Sequence, residues 1–175
     1  MHPSNHEKAF VAQANGVRIG ILAADYHKEI YQRLRDGART AFEKAGGLAG
    51  DLLEATVDGV FDLPPVAAQM LEQSDIDALV VMGCVIRGET RHDRFIVDAA
   101  FGQFTQLAVA HRKPVALAVL TVECESQARA RSGGNKGDAG AFAMNAALRT
   151  HAQLVRLRQG LHGASVGVSS AEKKS

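Results

Sequence analysis

The sequence predicts an α/β domain, a three-layer αβα sandwich built on a mostly parallel sheet of four strands. Three observations predict it. Apolar runs of strand length alternate with longer stretches whose apolar residues recur at helical spacing. The run 78–86 is apolar over all nine residues, as a parallel strand covered on both faces requires. The chain has 175 residues, 46% hydrophobic and 22% charged, with 17 glycines and 4 prolines, which suits one domain of this kind.

Taken in order, residues 1–16 read as a mobile arm, 17–158 as the folded domain and 159–175 as a flexible tail rich in Gly, Ser and Lys. Residues 17–24 form the first strand. Ile30, Leu34, Ala38, Ala41, Phe42 and Ala45 then trace a helix, which Gly46-Gly47 stops because glycine accepts positive φ. A second strand covers 52–57. After Gly59, Pro64-Pro65 opens a short helix with Val66, Ala67, Met70 and Leu71 inward, since a first-turn proline loses no needed N–H. The third strand is 78–86, a helix spans 90–111, and the fourth strand is 115–121. A short helix over 127–131 ends before Gly133-Gly134, and a last long helix covers 136–158.

Several classes of function fall away. Twenty Lys and Arg against nineteen Asp and Glu leave a net charge of +1, so no overall field draws the chain to nucleic acid or to an anionic membrane. The longest apolar run is half the ~20 residues that a bilayer-spanning helix needs. The first residues are polar and lack the ~7–15-residue apolar core of a signal peptide. Cys84 and Cys124 make neither a C-x-x-C nor a disulfide framework, so a reducing cytoplasm is expected. The G-x-S-x-G, H-E-x-x-H, paired C-x-x-C and G-x-G-x-x-G patterns are all missing.

Ligands of parallel α/β sheets bind beyond the carboxyl ends of the strands. That directs attention to 24–27, 58–62, 83–92 and the stretch after 121. The most informative is Gly83-Cys-Val-Ile-Arg-Gly-Glu-Thr-Arg-His92, running from a strand end through Gly88 into a helix N-terminus. Free N–H groups there suit a phosphate, with the Thr90 hydroxyl as a further donor and His92 beside it to exchange protons near neutral pH. Equally, Thr90 serves as a cap and His92 as a surface residue. Arg131-Ser-Gly-Gly-Asn-Lys136 is a second candidate anion site, without P-loop order. Asp62 either accepts from ligand hydroxyls or caps the following helix. Tyr26 is either an aromatic lid for a flat ring or half-buried packing.

Together and in this order, these stretches resemble the lumazine synthase family over about residues 17–155. Gly83-x-Val-Ile-Arg-Gly-x-Thr-x-His92 is close to its G-x-V-I-R-G-x-T-x-H signature. Val57-Asp-Gly-Val-Phe-Asp-Leu-Pro64 is similar to its V-P-G-A-F-E-I-P. The strand from Pro114 to Thr121, then Gln127-Ala, Arg131 and Gly134-Asn-Lys-Gly137, follow with similar spacing. The resemblance implies a flavodoxin-like fold and a cofactor-free, metal-free condensation. In it a ribitylaminopyrimidinedione reacts with 3,4-dihydroxy-2-butanone 4-phosphate to give 6,7-dimethyl-8-ribityllumazine, the penultimate step of riboflavin biosynthesis.

By that analogy His92 and Lys136 are catalytic, His92 shuttling protons and Lys136 assisting. Arg131 holds the phosphate with Thr90 and backbone N–H groups of the Gly88-Glu89 stretch. Tyr26 stacks on the pyrimidine. Gly59, Val60, Phe61, Asp62, Val85, Ile86 and Leu117 contact the ring and ribityl chain. The partners implied are small-molecule substrates and further copies of the chain, in a pentamer or a multiple of pentamers, with no nucleic acid and no membrane. The chain departs from the common pattern at Asp62 (usually Glu), Glu89 (usually small), Asp93 after His92, Leu117 (often Phe), and a loop after Arg131 about three residues shorter. These departures leave open a non-catalytic paralogue that binds flavin or lumazine or forms a shell. A flavodoxin-like binding module would leave Arg131 and Lys136 unexplained.

Overall fold

A computed structural model of the chain describes residues 13–73, 75–90 and 92–160, with the backbone alone at Gln73, His92 and Asp93. Four parallel strands stand in the order β2-β1-β3-β4: β1 (Ile19–Ala24), β2 (Leu52–Val57), β3 (Ala78–Ile86) and β4 (Val115–Val122). The two central strands carry the sequence's most apolar runs. All six residues of β1 and the first seven of β3 are buried, because each has a strand on either side and helices above and below.

Side chains alternate across a strand, so the core divides into two. Ile19, Ile21 and Ala23 of β1 and Ala78, Val80, Met82 and Cys84 of β3 face α1 (Lys28–Lys44) and α5 (Ala139–Arg158). Leu22, Ala24, Leu79 and Val81 face α2 (Leu63–Gln73) and α3 (His92–His111). A short helix, α4 (Glu125–Arg131), joins the first layer through buried Ala128. The three-layer αβα sandwich and its four-stranded parallel sheet are those expected.

The boundaries differ where local polar contacts intervene. β1 starts at Ile19, because Arg18 exchanges backbone bonds with Asp77 instead of continuing the ladder: its N–H donates to the Asp77 carboxylate (2.8 Å) and its carbonyl accepts from the Asp77 N–H (2.7 Å). The last part of the expected arm is packed. Ala14 is buried and its N–H donates to the Ala45 carbonyl, 2.8 Å away, at the end of α1, while residues 1–12 lie outside the described residues. Helix α3 begins at His92, so Thr90 lies exposed in a bend before it. Helix α4 begins at Glu125 rather than 127.

Helix α5 begins at Ala139, three residues later than the spacing predicts. Gly137 has φ +99, which no helix accepts, and the Asp138 carboxylate caps the helix by accepting from the Ala141 N–H at 3.0 Å. Lys136 therefore sits in the turn of a small antiparallel hairpin, β5 (Ser132–Gly134) and β6 (Gly137–Asp138). Of the expected tail, 161–175 lies outside the described residues.

Candidate active site

All four strands end at one edge. Ala24 stands beside Val57 and Ile86 beside Val122. The ladder runs one step further, with the Asp25 N–H on the Val57 carbonyl (3.0 Å) and the Arg87 N–H on that of Val122 (2.8 Å). Each predicted segment leaves the sheet here.

Tyr26, two residues beyond β1, is 80% exposed and meets His27 edge-on, which removes the half-buried alternative. After β2, residues Val60–Asp62 make one 3-10 turn. The Asp62 N–H donates to the Gly59 carbonyl and the Gly59 N–H to Asp62 Oδ2, each at 3.1 Å. Asp62 thus caps its own turn with one oxygen. The turn puts the Val60 side chain in the core and leaves Phe61 63% exposed. Gly83 makes this possible, since a Cβ there would stand 2.9 Å from Val60 Cγ2. At the end of β3, Val85 and Ile86 are half-buried, and Gly88, Glu89 and Thr90 are exposed. Leu117, on β4, is half-buried against the second core.

The helices that adjoin the two predicted anion-binding segments pack on different layers. Helix α3, which His92 opens, packs in the second layer with the Val60 turn. Arg131 ends α4 in the first layer, exposed, its guanidinium donating to the Gln127 carbonyl at 3.2 Å. Lys136 is exposed with its N–H on the Ala130 carbonyl at 2.8 Å. Within one chain the sheet lies between the two layers. The His92 side chain lies outside the described atoms. Among the described residues no group of three or more His, Cys, Asp or Glu is placed to hold a metal ion.

The two cysteines flank this edge with opposite characters. Burial, then the Glu125 charge, pushes the Cys84 thiol up to about 11. Hydrogen bonds from Ser126, then from the Gln127 N–H, hold exposed Cys124 below its ordinary value. Away from this edge, an apolar groove of about 520 Å³ opens beside Pro114 and the C-terminal turn of α5, lined by Val109, Leu154 and Leu157.

A profile of the family described as 6,7-dimethyl-8-ribityllumazine synthase matches residues 16–155, nearly the whole described chain. The chain belongs to the 6,7-dimethyl-8-ribityllumazine synthase family. Proteins of that name are 43% identical in Kineococcus radiotolerans, over 78% of this chain and 84% of that protein, and 39% identical in Corynebacterium efficiens, over 83% and 89%. A third, in Thermus thermophilus, is 34% identical over 86% of this chain and 94% of that protein. As a lumazine synthase the chain is an enzyme of the transferase class.

Sequence reasoning missed the contacts that seat the segment carrying Arg131 and Lys136. Arg33 Nε donates to the Ser132 carbonyl (3.0 Å) and hydroxyl (3.2 Å), and Ser132 is 1% exposed. Arg129 pairs with Glu125 and with Glu29. Only the Glu125–Arg129 pair, four residues apart in one helix, left a signal in the sequence.

Proposed function

We propose that this lumazine synthase builds each active site from two neighbouring copies of the chain in a closed ring, a pentamer or a multiple of pentamers. The reaction is that of the family. The free amine of 5-amino-6-(D-ribitylamino)uracil attacks the ketone of 3,4-dihydroxy-2-butanone 4-phosphate, an imine forms, phosphate is eliminated, and the ribityl-bearing nitrogen closes the second ring. One phosphate and two waters leave.

One copy supplies the ring pocket. Tyr26 stacks on the pyrimidine, and backbone groups of Gly59, Val60, Phe61, Val85 and Ile86 bind the ring and ribityl chain. Asp62 keeps one oxygen for a ribityl hydroxyl while the other caps its turn. Thr90 and the N–H groups after Gly88 meet the phosphate, and His92 moves the protons. The neighbour supplies Leu117, Arg131 and Lys136. Arg131 offers a planar fork to the phosphate oxygens and offsets the charge of Glu89, the residue between Gly88 and Thr90. Catalysis comes largely from holding two reactants in register, which is worth ~7–11 kcal/mol when alignment is good.

The observation that carries the two-copy reading is that α4, which Arg131 ends, packs with the first core, whereas α3, which His92 begins, packs with the second. The exposed aromatic rings of Tyr26 and Phe61 support it, because an open apolar edge calls for a ligand or a neighbour. The cytoplasm, where thiols stay reduced, suits Cys84 and Cys124. Purified protein mixed with both substrates should develop lumazine absorbance and green fluorescence. Absence of product under conditions where a curated relative turns over would overturn the assignment.

A further inference from the structure

Helix α4 has little apolar anchorage, for Ala128 alone of its seven residues is buried. Its position therefore depends on polar contacts, and one stripe of α1 meets both α4 and the hairpin that follows it. Glu29, Arg33 and Gly37 stand four residues apart and share a helix face. Gly37 lies directly against the Asp138 carboxylate, where a Cβ would collide with it. Arg33 binds both oxygens of buried Ser132. At the start of the stripe, three residues past Tyr26, Glu29 receives Arg129 Nη1. The rest of that guanidinium, Nη2 at 2.8 Å and Nε at 3.3 Å, grips Glu125 one turn back in α4.

We propose that Arg129 is a positioning residue for the phosphate-binding Arg131. By bridging Glu125 to Glu29 it fixes α4 on the first turn of α1 and so sets where Arg131, two residues on, presents its fork. This rests on the assignment of Arg131 to the phosphate made above. An exposed ion pair adds little to global stability. Its effect is on the direction of a weakly packed helix, and a phosphate clamp is sensitive to direction.

The test compares steady-state kinetics of Arg129→Gln, Glu29→Gln, the double variant, Arg129→Lys and Arg131→Ala, each varying both substrates. Arg129→Gln and Glu29→Gln should each raise KM for the butanone phosphate about fivefold, the upper range for such a pair. KM for the pyrimidine, kcat at saturation and the thermal midpoint should stay at wild-type values. The double variant should be no worse than either single one, and Arg129→Lys should recover part of the loss. If Arg131→Ala raises KM for the butanone phosphate selectively and both Arg129→Gln and Glu29→Gln leave it unchanged, the positioning role is wrong while the phosphate site stands. If Arg131→Ala affects both KM values equally, the phosphate assignment itself falls and this proposal with it.

Discussion

At the scale of single residues, the two titrating groups with the most to say are Cys84 and His92. Cys84 lies buried near the carboxyl end of β3, and its thiol moves from 9.0 up to about 11 because burial disfavours the thiolate. The sign follows directly. Below pH 9 both folded and unfolded chains hold this proton, and nothing is lost. Between pH 9 and 11 the unfolded chain releases it while the folded chain keeps it, so stability falls as pH rises, by about 2–3 kcal/mol in all. Denaturant titrations at pH 8.5 and 11 should show that loss in wild type and a smaller one in Cys84→Ala. Equal losses would mean that Cys84 is not the group responsible. For His92, placed at the first position of α3 and proposed to move protons, His92→Ala should lower kcat by about 10²-fold, the low end for general acid–base catalysis. Single-turnover formation of lumazine at the wild-type rate would remove it from the mechanism.

At the scale of elements, the crossing of α1 and α5 shows a helix pair brought together by a missing side chain. A Cβ on Gly140 would lie 2.7 Å from the Leu34 carbonyl carbon and 2.9 Å from its Cα, inside the backbone of α1. Two effects compete in Gly140→Ala. Alanine favours a helix over glycine by up to ~1 kcal/mol, whereas overpacking against backbone costs ~1–3 kcal/mol or more. The clash wins, because backbone cannot swing aside as a flexible side chain can. Urea unfolding of Gly140→Ala should give a midpoint well below wild type, and an unchanged or raised midpoint would show that α1 and α5 stand further apart. The same crossing seats Asp138 at the start of α5 beside Gly37, so the element that holds the first core together also anchors the hairpin bearing Lys136.

At the scale of the whole molecule, the shared-site proposal makes a prediction that no single-chain variant can. His92→Ala and Arg131→Ala proteins should each be impaired. Unfolded together and refolded as mixed rings, about a quarter of the head-to-tail contacts will pair an intact His92 with an intact Arg131. Activity should climb towards that fraction of wild type. Mixed rings verified by native mass spectrometry yet no more active than the parents would confine the site to one chain. Phe95 of α3 and Phe142 of α5 are exposed as well, at 72% and 69%.

Much of this was legible in the residues themselves. β2 and β3 have the limits read from their apolar runs, because strand periodicity and full burial leave direct marks in sequence. That the predicted segments would gather at one edge was legible for a similar reason, since parallel topology places every strand's carboxyl end on one side. The motif from Gly83 to His92 carried the family because it holds a run of specific residues, and at Gly83 the Val60 side chain leaves no room for a Cβ.

What stayed hidden depends on contacts far apart in the chain. Nothing near Lys136 announces that Asp138 will cap α5 and leave the lysine in a hairpin turn, nor that Arg18 will leave the ladder for Asp77, 59 residues away. The bond from Arg129 to Glu29 spans 100 residues. Local chemistry selects the helices and strands. Only once they pack does a layer separate Arg131 from the helix that His92 begins, because which face of the sheet a segment covers is set by the path of the whole chain.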